Sequence, residues 1–183
     1  MSKQLDEKIL QDCLKKDVKA QQAFYQHFSG TMYAVCLRYS NTKEDARDIL
    51  QDGFVKVFTK LTQYSGKGSL EGWMKRIFVN TALEHYRVNK NHMDQSDVNE
   101  AFDLAHHAHT LERITQKEIL EVMSKMATGY RTILNLFAIE GYTHAEIAEM
   151  LGINEGTSKS QLSRARQIFI QTWNRLQEEK KTF

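Results

Sequence analysis

Apolar side chains recur at helical spacing along most of the chain, and the interruptions between them mark the elements. Leu5, Ile9 and Leu14 form one stripe. Phe24, Tyr25, Phe28, Met32, Val35, Cys36 and Tyr39 form a second, with a break near Lys15 to Lys19. Two helices are predicted there. Thr42 followed three residues later by Asp45 has the pattern of a capping box and predicts the next start. Leu50, Phe54, Val57, Phe58 and Leu61 carry that helix to about Leu61. Gln63-Tyr-Ser-Gly-Lys-Gly-Ser69 is a loop by its glycines, and Ser69 can cap the next helix. That helix shows Leu70, Trp73, Met74, Ile77, Phe78 and Tyr86 among basic residues and fades around Asn89.

Residues 91–110 break the pattern. They hold four acids, no Lys or Arg, and little periodicity. They read as a linker between two helical domains, at 1–90 and 111–183. Helical spacing returns at Leu111, Ile114, Ile119, Val122, Met123 and Met126, and again at Ile133, Leu134, Phe137 and Ala138. Gly141 ends that last segment.

The final stretch predicts two helices joined by a tight turn. Thr143 and Glu146 form a second capping box. Ile147, Ala148 and Leu151 are expected on the inner face. Gly152 stands where the chain must take a positive φ, Ile153 fills the corner, and Asn154 can cap the second helix. Leu162, Ala165 and Phe169 would face inward. Thr157, Lys159, Ser160, Gln161, Ser163, Arg164 and Arg166 are left on the other face. Ser158 is the weak point, because a bulkier apolar residue would pack better there. Small residues at 148 and 152 permit a close helix crossing, as in a helix-turn-helix. Polar and basic side chains on its second helix suit phosphates and base edges.

Composition sharpens this picture. Pro is absent and Gly numbers only 9, while 41% of residues are hydrophobic and 26% charged. Scarcity of helix breakers favours an all-α chain. No apolar run approaches the length of a membrane span, and the first residues are too polar for a signal peptide. A cytoplasmic protein is expected, with Cys13 and Cys36 as buried free thiols. No phosphate loop, nucleophile elbow or metal-hydrolase motif appears, so neither an enzyme nor a cofactor is expected. His92, His106, His107 and His109 lack ligand spacing and read as solvated linker residues, not a metal site.

Net charge is only +2, which hides a strong segregation. Residues 44–52 carry −3, while 67–90 and 155–175 carry +3 each. Two basic segments suggest two nucleic-acid contacts. The first also holds Tyr64, Trp73, Phe78 and Tyr86 among Lys67, Lys75, Arg76, Arg87 and Lys90. Rings among cations suit unpaired bases. Helical spacing, however, places Trp73 and Phe78 in a core. Asp45, Asp48 and Asp52 share one side of their helix, as a solvated face or a docking surface for a basic partner.

Taken together, these stretches resemble the extracytoplasmic-function (ECF) sigma factors, over about residues 20–175. Asp45-Ala-Arg-Asp-Ile-Leu-Gln-Asp-Gly-Phe54 is similar to their core-polymerase-binding helix. Gly68-Ser-Leu-Glu-Gly-Trp-Met-Lys-Arg-Ile-Phe-Val-Asn-Thr-Ala82 is similar to their promoter-melting segment. Tyr130-Arg-Thr-Ile-Leu134, Gly141-Tyr-Thr-His-Ala-Glu-Ile-Ala148 and Gly156-Thr-Ser-Lys-Ser-Gln-Leu-Ser-Arg-Ala-Arg166 are similar to their C-terminal domain. The resemblance implies a region 2 helical bundle and a region 4 helix-turn-helix joined by the polar linker. It implies Asp45, Asp48, Gln51 and Asp52 against the β′ clamp helices of RNA polymerase, and a further contact with the β flap. Tyr64, Lys67, Ser69, Trp73, Lys75, Arg76, Asn80, Thr81 and Arg87 would melt and hold the "minus ten" element. Thr157, Lys159, Ser160, Gln161, Ser163, Arg164 and Arg166 would read the "minus thirty-five" duplex. The linker would run toward the active-site channel, and an anti-sigma protein would cover the same surfaces. The sequence departs from the family at Ser158, which usually is Val or another apolar residue, and in lacking Pro before the Tyr130-Arg131 pair. A stand-alone DNA-binding regulator explains only the C-terminal half. A protein-only adaptor leaves Arg164 and Arg166 without a role.

Overall fold

A computed structural model describes residues 2–92 and 116–181. The expected linker, with His106, His107 and His109, lies outside the described residues except for its first two positions. So do Leu111 and Ile114. Every regular element among the described residues is helical. The chain divides between His85 and Tyr86 into two compact units.

In the first unit, α1 (Ser2–Leu14) is followed by a short reversal into α2 (Val18–Tyr39). Lys16 takes φ +62, and the Asp17 carboxylate accepts from the Ala20 N–H at 2.7 Å. That cap starts α2 earlier than the apolar stripe indicated. Helix α3 (Lys43–Lys60) opens with the expected capping box, in which Thr42 and Asp45 bond each other's backbone N–H. A single 3-10 turn, Leu61–Gln63, leads to the loop before α4 (Leu70–His92). Phe24, Met32 and Val35 of α2 are buried with Ile49, Phe54 and Val57 of α3 and Met74, Phe78 and Leu83 of α4. Each such side chain contributes roughly 1.5–3 kcal/mol on burial. The Phe54 and Phe78 rings meet edge to face, with centroids 5.2 Å apart. Gly53 faces Phe78 so closely that a Cβ there would lie 2.2 Å from a ring carbon.

Cys13 and Cys36 are buried free thiols, as expected. Burial pushes Cys13 up to about 11 and Cys36 up to about 12. A thiol is reactive as its thiolate, so both should be inert near neutral pH. The native chain should therefore react slowly with an aromatic disulfide reagent at pH 8, and release two thiols at once in denaturant. Rapid labelling of the native chain would contradict this burial.

In the second unit, α5 (Gln116–Ser124) and α6 (Thr128–Leu134) pack on the long α8 (Glu155–Lys181), as does α7 (His144–Leu151). The sequence indicated a short helix around Ile133 to Ala138. The chain instead forms α6 from Thr128 and widens into a π-turn over Asn135–Ile139. The Glu140 N–H donates to the Asn135 carbonyl, five residues back, at 3.0 Å. Gly141, with φ +79, ends the turn. Arg131 is 1% exposed, a burial the sequence reading did not foresee. Its guanidinium donates to the Met123 carbonyl, in the last turn of α5, at 3.4 Å. A cation suits a helix C-terminus, although desolvation lowers its pKa from the usual guanidinium value.

Candidate polymerase- and nucleic-acid-binding faces

The acidic side of α3 separates into residues with different duties. Asp45 is half-buried and committed to the capping box. Asp48 and Gln51 are exposed. Asp52 is exposed too, but its carboxylate lies 2.8 Å from His85 Nε2 of α4. Next to this pair, Lys56 and Glu84 form a second ion pair between the same helices. Val55, 59% exposed, lies on the Asp48–Gln51–Asp52 side by its spacing. The sequence reading passed over it, because it belongs to neither the apolar stripe nor the charge row.

The loop before α4 is organised by its glycines. Gly66 and Gly68 take φ +73 and +82. The Tyr64 hydroxyl donates to the Gly68 carbonyl at 2.9 Å, and its ring rests against Trp73, centroids 5.5 Å apart. Ser69 Oγ accepts from the Gly72 N–H at 3.0 Å, which is the expected cap. Phe78 is wholly buried. Trp73 corrects the core expectation, since it is half-buried beside Tyr64 at the rim. Lys67, Arg76, Asn80 and Arg87 are exposed, and Lys75 is paired with Glu71 at 2.7 Å. Arg76, Asn80 and Arg87 recur at the spacing of one helical face. Thr81 leaves the nucleic-acid set. It is 0% exposed, and its hydroxyl donates to the Ile77 carbonyl at 2.9 Å. The signal was present in the sequence, because Met74, Phe78 and Thr81 stand at i, i+4 and i+7.

The helix-turn-helix is built by its caps. The Glu146 carboxylate accepts from the Thr143 N–H at 2.8 Å, and Thr143 Oγ1 accepts from the Glu146 N–H at 3.3 Å. Gly152 takes φ +65, and the Ile153 N–H donates to the Ala148 carbonyl at 3.0 Å. Asn154 Oδ1 accepts from both the N–H and the hydroxyl of Thr157, at 2.7 and 2.9 Å. Ile147, Leu162 and Ala165 are buried, while Ala148, Leu151 and Phe169 are half-buried. Thr143→Ala should cost about 1 kcal/mol, read as a lower urea midpoint. An unchanged midpoint would remove this cap from the account.

On the outer face of α8, Lys159, Ser160, Ser163, Arg164 and Arg166 are exposed, and Thr157 and Gln161 are half-buried. Lys159 Nζ lies 2.6 Å from the Glu155 carboxylate and, more than any other group, holds that acid below its ordinary value. Ser158 is not a packing defect. It is 0% exposed, and its hydroxyl lies 3.0 Å from His144 Nδ1. A buried hydroxyl is tolerated when it is hydrogen-bonded. His144 was not singled out from the sequence. Its ring stacks on Phe137 at 4.7 Å, and the Arg166 guanidinium lies over the same Phe137 ring, 5.4 Å from its centroid.

No group of His, Cys, Asp and Glu among the described residues could hold a metal ion. None of their helices is long and apolar enough to cross a membrane.

Comparison with known proteins gives two family matches in chain order. The profile described as Sigma-70 region 2 matches residues 24–92, and that described as Sigma-70, region 4 matches 116–168. The chain is 22% identical over 179 residues to the RNA polymerase sigma-H factor of Pseudomonas aeruginosa, covering 91% of this chain and 93% of that protein. It is 28% identical over 154 residues to the ECF RNA polymerase sigma factor SigM of Bacillus subtilis, covering 82% and 93%. In fold it is similar to the sigma factor RpoE of Bartonella quintana, solved in complex with the anti-sigma factor NepR. The TM-score there is 0.51 at 20% identity, covering 84% of this chain and 98% of that one.

Proposed function

The chain belongs to the sigma-70 family of RNA polymerase sigma factors, in its ECF branch, and from that premise we propose a division of labour among its faces. It binds core RNA polymerase, recognises promoter DNA and initiates transcription. The observation that carries this reading is the presence of both family regions in one chain, in order. A regulator that only bound duplex DNA would need the second alone.

Asp48 and Gln51, with Asp52 beside them, dock on the basic clamp helices of the β′ subunit. The second unit also meets the β flap. Lys67, Arg76, Asn80 and Arg87 follow the non-template strand of the "minus ten" element. Tyr64, Ser69 and Trp73 shape the loop that holds an extruded base. Extrusion costs a few kcal/mol, about what stacking and backbone contacts return. Lys159, Ser160, Ser163, Arg164 and Arg166 read the "minus thirty-five" duplex through phosphates and base edges. The protein has no catalytic residues of its own and acts in the bacterial cytoplasm, where the polymerase is. An anti-sigma protein that covers these faces is a further partner, and affinity purification from native cells should recover it.

Run-off transcription tests this reading. Bacterial core polymerase is supplied with the protein and with genomic fragments from upstream of its own gene and others. Transcripts that require the protein are expected. Their absence, together with tight and salt-dependent binding of the protein alone to duplex DNA, would instead make it a stand-alone regulator.

A further inference from the structure

One feature of the second unit has no part in the division of labour above. Phe137 lies in the π-turn, half-buried, with two partners. The His144 ring stacks on it at an interplanar angle of 26°, and the Arg166 guanidinium lies over it at 5.4 Å. His144 is in turn fixed through Nδ1 to the buried Ser158 hydroxyl of α8, at 3.0 Å. The chain of contacts therefore starts and ends on α8 and passes through the start of α7 and the π-turn. Ser158 and Arg166 are eight residues apart, a little over two helical turns. The helix is thus held at two points against the same pair of rings.

An exposed arginine has many rotamers, and ordering it on DNA costs entropy. A ring face that already holds the guanidinium removes part of that cost. π-turns also occur often at functional positions, and this one puts Phe137 where α8 passes.

We propose that Phe137 is a positioning residue for promoter recognition: it preorders the Arg166 guanidinium toward the upstream duplex, and the His144–Ser158 hydrogen bond sets the placement of α8 that this requires. The proposal rests on the reading of Arg166 as a contact to that duplex.

The test uses holoenzyme, made from the full chain and bacterial core polymerase. A duplex is first selected from a randomised library by transcription with the unaltered protein. Affinity for that duplex is then measured for Arg166→Ala, Phe137→Leu and the double variant. Each single variant should weaken binding roughly tenfold. The double variant should lose no more than either single, because both remove one interaction. Phe137→Tyr, which keeps the ring face, should bind like the unaltered protein. Arg164→Ala combined with Phe137→Leu should give the product of the separate losses. If Phe137→Leu unfolds the second unit, Phe137→Met takes its place as a ringless side chain of suitable volume. A roughly hundredfold loss in the Phe137–Arg166 double variant would overturn the proposal and leave Arg166 as a DNA contact. An Arg166→Ala protein with unaltered affinity would overturn both.

Discussion

Asp48→Arg combined with Gln51→Ala should reduce run-off transcription to background while leaving the fold intact. Both residues are exposed on α3, and neither makes a hydrogen bond or ion pair among the described residues. The substitutions therefore remove nothing that holds the helix in place. At the docking face they set a cation against a basic partner, and placing like charges together costs several kcal/mol. A loss of about 3 kcal/mol lowers affinity more than a hundredfold. Neighbouring acids are poorer probes. Asp45 is half of a capping box, and Asp52 is tied to His85. Changing either would mix stability with binding. Co-purification with core polymerase and circular dichroism of the free variant check the two halves of the expectation. A folded variant that still transcribes at the normal level would move the docking surface away from Asp48 and Gln51.

Gly53→Ala should have the largest effect on stability. Alanine normally stabilises a helix by about 1 kcal/mol relative to glycine, so propensity alone would forecast a gain. The contact says otherwise. The new Cβ would lie 2.2, 2.4 and 2.8 Å from three carbons of the Phe78 ring. That ring is 0% exposed and rests on Phe54, so it is not a loose chain end that can step aside. Backbone or core must shift, and overpacking of this kind costs roughly 1–3 kcal/mol or more. We expect a net loss of about 2 kcal/mol, read by thermal unfolding. Phe78→Leu should recover part of that loss in the Gly53→Ala background and destabilise the unaltered protein. A Gly53→Ala protein with a raised melting temperature would refute the close contact.

Much of the fold was legible because the chain marks helix starts with local chemistry. Thr42–Asp45, Ser69–Gly72, Thr143–Glu146 and Asn154–Thr157 are all bonds across three residues, visible as spacing. Gly152 announced the turn for the same reason. The candidate faces were legible to the extent that charge on a helix side is periodic. Pairings between residues distant in sequence escaped. Asp52 and His85 are 33 residues apart, and His144 and Ser158 are 14 apart. Spacing cannot say which distant partner a polar side chain meets. Ser158 looked like a flaw for that reason, and Arg131 gave no sign of burial. Thr81 is a different case. Its position on the core stripe was readable, but a hydroxyl beside basic residues drew attention to its chemistry over its face.

The π-turn at Asn135–Ile139 makes this short stretch unusually sensitive to chain length. An α-helix rotates about 100° per residue, and the wider turn accommodates one residue more than the regular ladder would. A substitution within it changes a side chain and leaves the path alone. A single-residue deletion would let the regular ladder close, and would swing the residues after it by about 100° about the helix axis. Insertions and deletions should therefore be purged here even where substitutions are accepted. Among related sequences the count of residues between Arg131 and Gly141 should vary less than their identities.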